Sequence, residues 1–250
     1  MNRLAPGQRA ALVAEYRAGL IADYQTGLQT VAAEADPRRR PRLRGWVHTV
    51  AAPVAAVAAL LLWQAAGPGI FRASVAVFGV GLVGLYAVSG LYHLCRRVRL
   101  RYWLSRLDVA MIQLFVAASF TPIAVHTLDG AWKAWSLTIA WVIATVGAVL
   151  AASPIRAPRW LSVAATTTFA SLALVPLLRI IQVLPAAGTV LLLAGSALYV
   201  AGGVVYARRR PDPWPRWFGF HEVFHVLVVL GGATHVVAVW EYALPLAGAG

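Results

Sequence analysis

The sequence predicts an all-α membrane protein, a bundle of seven transmembrane helices, and three observations carry that prediction. Of 250 residues, 60% are hydrophobic and only 12% charged, whereas soluble domains carry about 25% charged residues. The mean hydropathy is +0.70. The apolar residues are gathered into runs of about 20, the length that crosses a hydrocarbon core, and the charges fall in short clusters between them.

The first 45 residues are the polar part, a segment expected to be cytoplasmic. Arg3, Arg9, Glu15, Arg17 and Asp23 interrupt any apolar signal-peptide core, so no cleaved signal is read there. Leu12, Tyr16, Leu20, Tyr24 and Leu28 recur every four residues. That spacing predicts an amphipathic helix ending near Asp36-Pro37, lying on the membrane surface or docking on the bundle, with a solvated tail as the alternative. Arg38, Arg39, Arg40, Arg42 and Arg44 then precede the first apolar run.

The transmembrane domain is expected over residues 46–245, with spans at Trp46 to Ala66, Ala73 to Leu94, Leu107 to His126, Ala134 to Ala152, Trp160 to Leu178, Val183 to Tyr206 and Phe218 to Trp240. Trp46, Trp103, Trp132, Trp135, Trp160, Trp217 and Trp240 stand at or beside these ends, as an interfacial aromatic belt requires. Pro211-Asp212-Pro213-Trp214-Pro215 is a stiff connector before the last span. Sixteen basic residues lie near the ends on the N-terminal side of the bundle, and three, Arg72, Lys133 and Arg179, on the other. This asymmetry predicts a cytoplasmic N-terminus and an external C-terminus. It also excludes the nucleic-acid partner that a net charge of +13 would suggest in a soluble chain, because a basic rim on anionic headgroups accounts for the charge.

Ionisable side chains inside spans are costly and are candidate functional groups by default. His93 closes the second span, Asp108 opens the third, and His221, Glu222 and His225 begin the seventh. All three ends face the same side under the predicted topology. His221 and His225 are four apart, so they share a helix face about 6 Å apart along the axis and can bind one metal ion. His93 is the natural third ligand of a three-histidine zinc site that leaves one position for water. Ser89 stands one turn before His93, and Asp108 needs a partner such as a ligand imidazole or a water on the metal. Hydrogen bonding between helices through the histidines alone is the competing reading. His235 lies about 15 Å farther along the last helix from His225 and is read as packed and hydrogen-bonded. His48 and His126 are read as interfacial, and Cys95, the only cysteine, as a lone buried thiol rather than a fourth ligand; with one cysteine there is no disulfide framework.

His221-Glu222-Val223-Phe224-His225 also fits the HExxH pattern of zinc proteases, with glutamate as general base. The longer form HExxHxxGxxH fails, since Val228 stands where glycine is needed and Gly231 where the third histidine is needed. No acidic third ligand is evident on a later span.

Ser89-x-x-x-His93, Leu107-Asp108, Ser119-Phe120-Thr121-Pro122 and His221-x-x-x-His225 together resemble the hemolysin III family, the bacterial branch of the progestin and adipoQ receptor superfamily that includes the adiponectin receptors. The resemblance covers roughly residues 42 to 245. It implies a seven-helix bundle with zinc held by His93, His221 and His225, Asp108 holding the water on the metal, and Ser89 nearby. Relatives in the wider superfamily look like alkaline ceramidases, in which the residue after the first histidine of the last span need not be acidic. By that resemblance Glu222 is not the essential base. Family members often carry an acidic residue and an asparagine before the histidine matching His48; this chain instead reads Arg42-Leu43-Arg44-Gly45-Trp46-Val47-His48.

The function expected is thus that of an integral zinc protein of a bacterial inner membrane. As an enzyme it would hydrolyse an amide or ester bond of a membrane lipid, with zinc-activated water, Asp108 as proton acceptor and Ser89 beside the oxyanion. The alternatives are a receptor-like protein with a structural zinc and a pore-forming, cytolytic protein, although no continuous polar stripe that would line a channel is evident.

Overall fold

A computed structural model describes residues 6–36, 40–153 and 175–247. Among these residues every regular element is helical, and Trp214 and Phe218 form an isolated β-bridge in the last connector. The chain runs α1 (Pro6–Glu34), α2 (Trp46–Ala65), α3 (Ile70–Leu94), α4 (Val98–Thr127), α5 (Gly130–Ala152), α6 (Ala186–Arg208) and α7 (Phe220–Ala238), continued by one π-helical turn (Val239–Ala243) and α8 (Leu244–Ala247). Six of these helices, α2 to α6 and α7 with its π turn, are long and apolar enough to cross a membrane. The chain is therefore read as a multi-pass integral membrane protein. The expected span Trp160 to Leu178 falls mostly on 154–174, outside the described residues; a helical stretch over 175–183 leads to α6.

Why α3 and α4 form the interior follows from their side chains. More than half of the spanning window of each is buried, against 22% for α2 and 11% for α6. α3 packs against both α2 and α4, α5 lies on α4, α6 lies on α7, and α2 also touches α7. The α3–α4 contact is close because small residues face each other: a Cβ on Gly81 would stand 2.7 Å from that of Ala118, as membrane helix interfaces favour. Phe78, Val75, Leu82 and Phe115 fill the space between. The outward faces of α2 and α6 are studded with Val54, Val57 and Leu60, and with Val190, Val200 and Val204. Exposed apolar rows of this kind suit contact with lipid tails, which cost such side chains nothing.

Two differences from the sequence reading have physical causes. α4 begins at Val98, nine residues before the expected Leu107, because Arg101 is buried and hydrogen-bonded to the protein instead of marking a polar loop. α1 docks on the bundle through its C-terminal part only. Gly27 and Val31 are buried and Tyr24 meets Tyr102 edge to face at 4.9 Å, while Leu12, Val13 and Tyr16 remain exposed.

Candidate metal centre

Four helix ends meet at one end of the bundle. α3 arrives there carrying Ser89 and His93 on successive turns, α7 departs carrying His221 and His225, α2 departs with His48 in its first turn, and Asp108 lies on α4. The segment before α2 is fixed by the last connector: the Arg42 and Leu43 N–H groups donate to the carbonyls of Arg216 (3.0 Å) and Trp217 (3.1 Å). The Arg42 guanidinium rests on the Trp217 ring, 4.5 Å from its centre.

The chain then enters α2 through Gly45, whose φ of +88° favours glycine. A Cβ there would stand 2.5 Å from the Cβ of His93, so glycine is needed for both shape and space. One turn earlier in α3, a Cβ on Gly90 would meet Thr49 at 2.7 Å. The start of α2 is thereby pressed against the end of α3.

One ligand atom from each of His93, His221 and His225 can be chosen so that all three lie within 4.8 Å of one another. His93 and His225 are buried and His221 is half-buried. The Nε2 atoms of His93 and His221 are 3.2 Å apart. Two imidazole nitrogens on one tetrahedral zinc, each about 2.0–2.1 Å from the metal, stand about 3.3 Å apart. The Nδ1 atoms of His93 and His225 are buried without a hydrogen-bond partner, a costly state for neutral rings. Donor type and separation fit a divalent metal such as zinc.

The carboxylates Asp108 and Glu222 are paired, while both ring nitrogens of His48 are buried without a hydrogen-bond partner. Asp108 and the Ser89 hydroxyl are hydrogen-bonded. Neither Asp108 nor Cys95 belongs to the three-histidine group; the Cys95 thiol is partly exposed and donates to the Arg97 carbonyl at 3.6 Å. Glu222 is fully buried. One of its oxygens takes the Arg44 Nε–H, and the other accepts from the Gly219 N–H at 2.8 Å, capping α7. With both oxygens engaged, Glu222 is an ion-pair and capping residue and not a free base beside the histidines. Burial, reinforced by Arg101 and Arg44, lowers the Arg40 guanidinium from its ordinary value, with Glu222 opposing them; an arginine stays charged regardless.

Sequence reasoning missed the part played by His48. Its ring is 2% exposed and lies parallel to that of His225, centroids 3.9 Å apart and planes within 10°. The available signal was its position three residues after Gly45, in the first turn of a helix that starts at the histidine end. His235 is packed and hydrogen-bonded as expected: it stacks on Tyr199 at 5.4 Å, and its Nδ1 lies 2.9 Å from the Gly231 carbonyl. His126 packs on Phe71 at the opposite end of α4.

The chain is 28% identical over 190 residues to Hemolysin-3 of Bacillus cereus, an alignment covering 75% of this chain and 84% of that protein. The family model described as Haemolysin-III related matches residues 38–236, which include all the histidines of the cluster. The chain therefore belongs to the haemolysin-III-related family of membrane proteins.

Proposed function

We propose that this protein is a seven-span zinc protein of a bacterial inner membrane, its N-terminus cytoplasmic, that hydrolyses an amide or ester bond of a membrane lipid. The observation that carries the reading is the convergence of His93, His221 and His225 within 4.8 Å. Zinc, when bound, would supply Lewis acidity and lower the pKa of a coordinated water. The residues of the chain have separable tasks. His93, His221 and His225 hold the metal. Asp108, held by the Ser89 hydroxyl, accepts the proton of the attacking water. Ser89, whose single hydroxyl hydrogen is engaged by Asp108, orients that carboxylate; this replaces the role beside the oxyanion that the sequence suggested. Glu222 and Arg44 stay out of the chemistry and fix the start of α7. The basic residues flanking the spans support the orientation.

Zinc stoichiometry of the detergent-purified protein is the first test, beside a His221→Ala, His225→Ala double variant. About one zinc per chain, lost in the variant, supports the centre; no zinc in either rejects it. Turnover of lipid amides and esters then separates a hydrolytic from a structural metal. A membrane-permeabilising activity is the second reading, favoured by the name of the Bacillus cereus relative. Dye leakage from liposomes, compared with the double variant, tests it.

A further inference from the structure

α3 ends at Leu94, one residue beyond His93. The carbonyls of its last turn therefore have no donor within the helix. Arg101 supplies it. One guanidinium nitrogen, Nη1, donates to the carbonyls of Tyr92 (2.8 Å), His93 (3.3 Å) and Cys95 (3.4 Å). The Nε of the same side chain donates to the carbonyl of Val31 in α1 at 3.2 Å. The guanidinium also lies 4.5 Å from the centre of the Tyr92 ring, and the Tyr92 hydroxyl donates to Glu34 of α1 at 2.7 Å. Arg101 is 2% exposed. A buried cation of this kind is retained only where its hydrogen bonds are well made, and here three of its four carbonyl partners lie on or within two residues of the candidate ligand His93 and the fourth lies on the N-terminal helix.

We propose that α1 is a strap on the histidine cluster, and that Arg101 is the positioning residue that transmits its docking to His93. The inference rests on the metal reading above. Its chemistry is simple: the planar fork of the guanidinium holds the α3 terminus and α1 at once, so detaching α1 removes one partner of a buried cation and loosens the turn that carries His93. Lysine, a point donor, cannot hold both sets of carbonyls in this geometry.

Gly27 provides a way to lift the strap without touching the cluster. A Cβ there would stand 2.4 Å from the Tyr102 ring. That ring cannot swing away, being buried between Tyr24, Trp103 and the Arg106 guanidinium. The experiment compares wild type, Gly27→Val, Arg101→Lys and Arg101→Met in the full-length protein. It reads zinc affinity by competition with a chromophoric chelator, together with amide exchange over residues 91–97. Expected are zinc affinities about tenfold weaker for Gly27→Val and Arg101→Met, in the range of lost outer-shell support, a smaller loss for Arg101→Lys, and faster exchange in all three. A purely structural role for α1 would lower thermal stability and leave zinc affinity of the folded fraction unchanged, which would overturn the proposal. Should one arginine variant fail to fold, Gly27→Val carries the test. If wild type itself binds no zinc, the metal reading falls, and unchanged exchange over 91–97 in Gly27→Val would overturn the strap on its own.

Discussion

Gly45 is the most exacting position at the histidine end, and Gly45→Ala separates two costs that can be worked out in advance. The residue adopts a φ of +88°, and holding alanine in the left-handed region costs about 1–2 kcal/mol. The new Cβ would also stand 2.5 Å from the Cβ of His93. Neither atom belongs to a flexible side-chain tip, so relief requires α2 and α3 to part, an overpacking cost of about 1–3 kcal/mol. The sum is about 2–5 kcal/mol, equivalent to a melting temperature lower by about 4–20 °C for a domain of this size. Gly69→Ala is the control without a clash: nothing lies within 4 Å of the added Cβ, so it incurs backbone strain alone, about 1–3 kcal/mol at φ +119° and ψ −163°. Gly67→Ala has open space around it and no unusual φ, and should change nothing. Melting of the metal-free proteins in detergent, followed by circular dichroism, gives the order Gly67→Ala, Gly69→Ala, Gly45→Ala, with zinc affinity lowered only in the last. If Gly45→Ala melted with Gly69→Ala and bound zinc like wild type, the entry to α2 would not be pressed on His93 and the geometry argued for that end would be wrong.

Other variants address the division of labour at the site. Asp108→Asn should abolish lipid hydrolysis while leaving most zinc bound; loss of the metal itself, read by metal analysis, would refute its role as proton acceptor. Glu222→Gln should keep zinc but lower stability by about 2 kcal/mol, less than the 3–5 kcal/mol for a wholly buried pair because the Arg44 side chain is 18% exposed; a glutamine variant that keeps its stability but loses hydrolysis would restore Glu222 as the base. His48→Phe should preserve the stack on His225 and bind zinc like wild type, whereas His48→Ala should weaken binding about tenfold by freeing that ring. Loss of zinc in the phenylalanine variant, measured by chelator competition, would make His48 a ligand.

The helices and the three histidines were legible because both rest on short-range rules. Apolar run length marks a span, and a separation of four residues puts His221 and His225 on one helix face. His93 could be joined to them because span order alone brings the end of one helix to the start of another. The features that were not legible depend on contacts between distant residues. Glu222 fits the base position of HExxH by spacing alone, and only Arg44, 178 positions away, reveals its partner. Arg101 reads as a loop cation, since nothing in the sequence says that four carbonyls from α1 and the α3 terminus would surround it. His48 reads as interfacial because its partner His225 lies on the last helix.

These long-range pairings bear on what the histidine end is for. Asp108 has Ser89, Glu222 has Arg44 and the Gly219 N–H, and Arg101 has its carbonyls. Purely structural polar groups are expected to be satisfied in this way, since an unmade buried hydrogen bond costs about 1–3 kcal/mol. Among the histidines, both ring nitrogens of His48 and the Nδ1 atoms of His93 and His225 are buried without a hydrogen-bond partner, while the Nε2 atoms of His93 and His221 are drawn to 3.2 Å. If the rings served only to join α3 to α7, one shared hydrogen bond would suffice and His225 could be apolar. The convergence of three rings within 4.8 Å supports the metal reading. Under the proposed hydrolytic reading the Asp108–Ser89 pair on α4 and α3 supplies the carboxylate, for which a metal that only joined α3 to α7 would have no use.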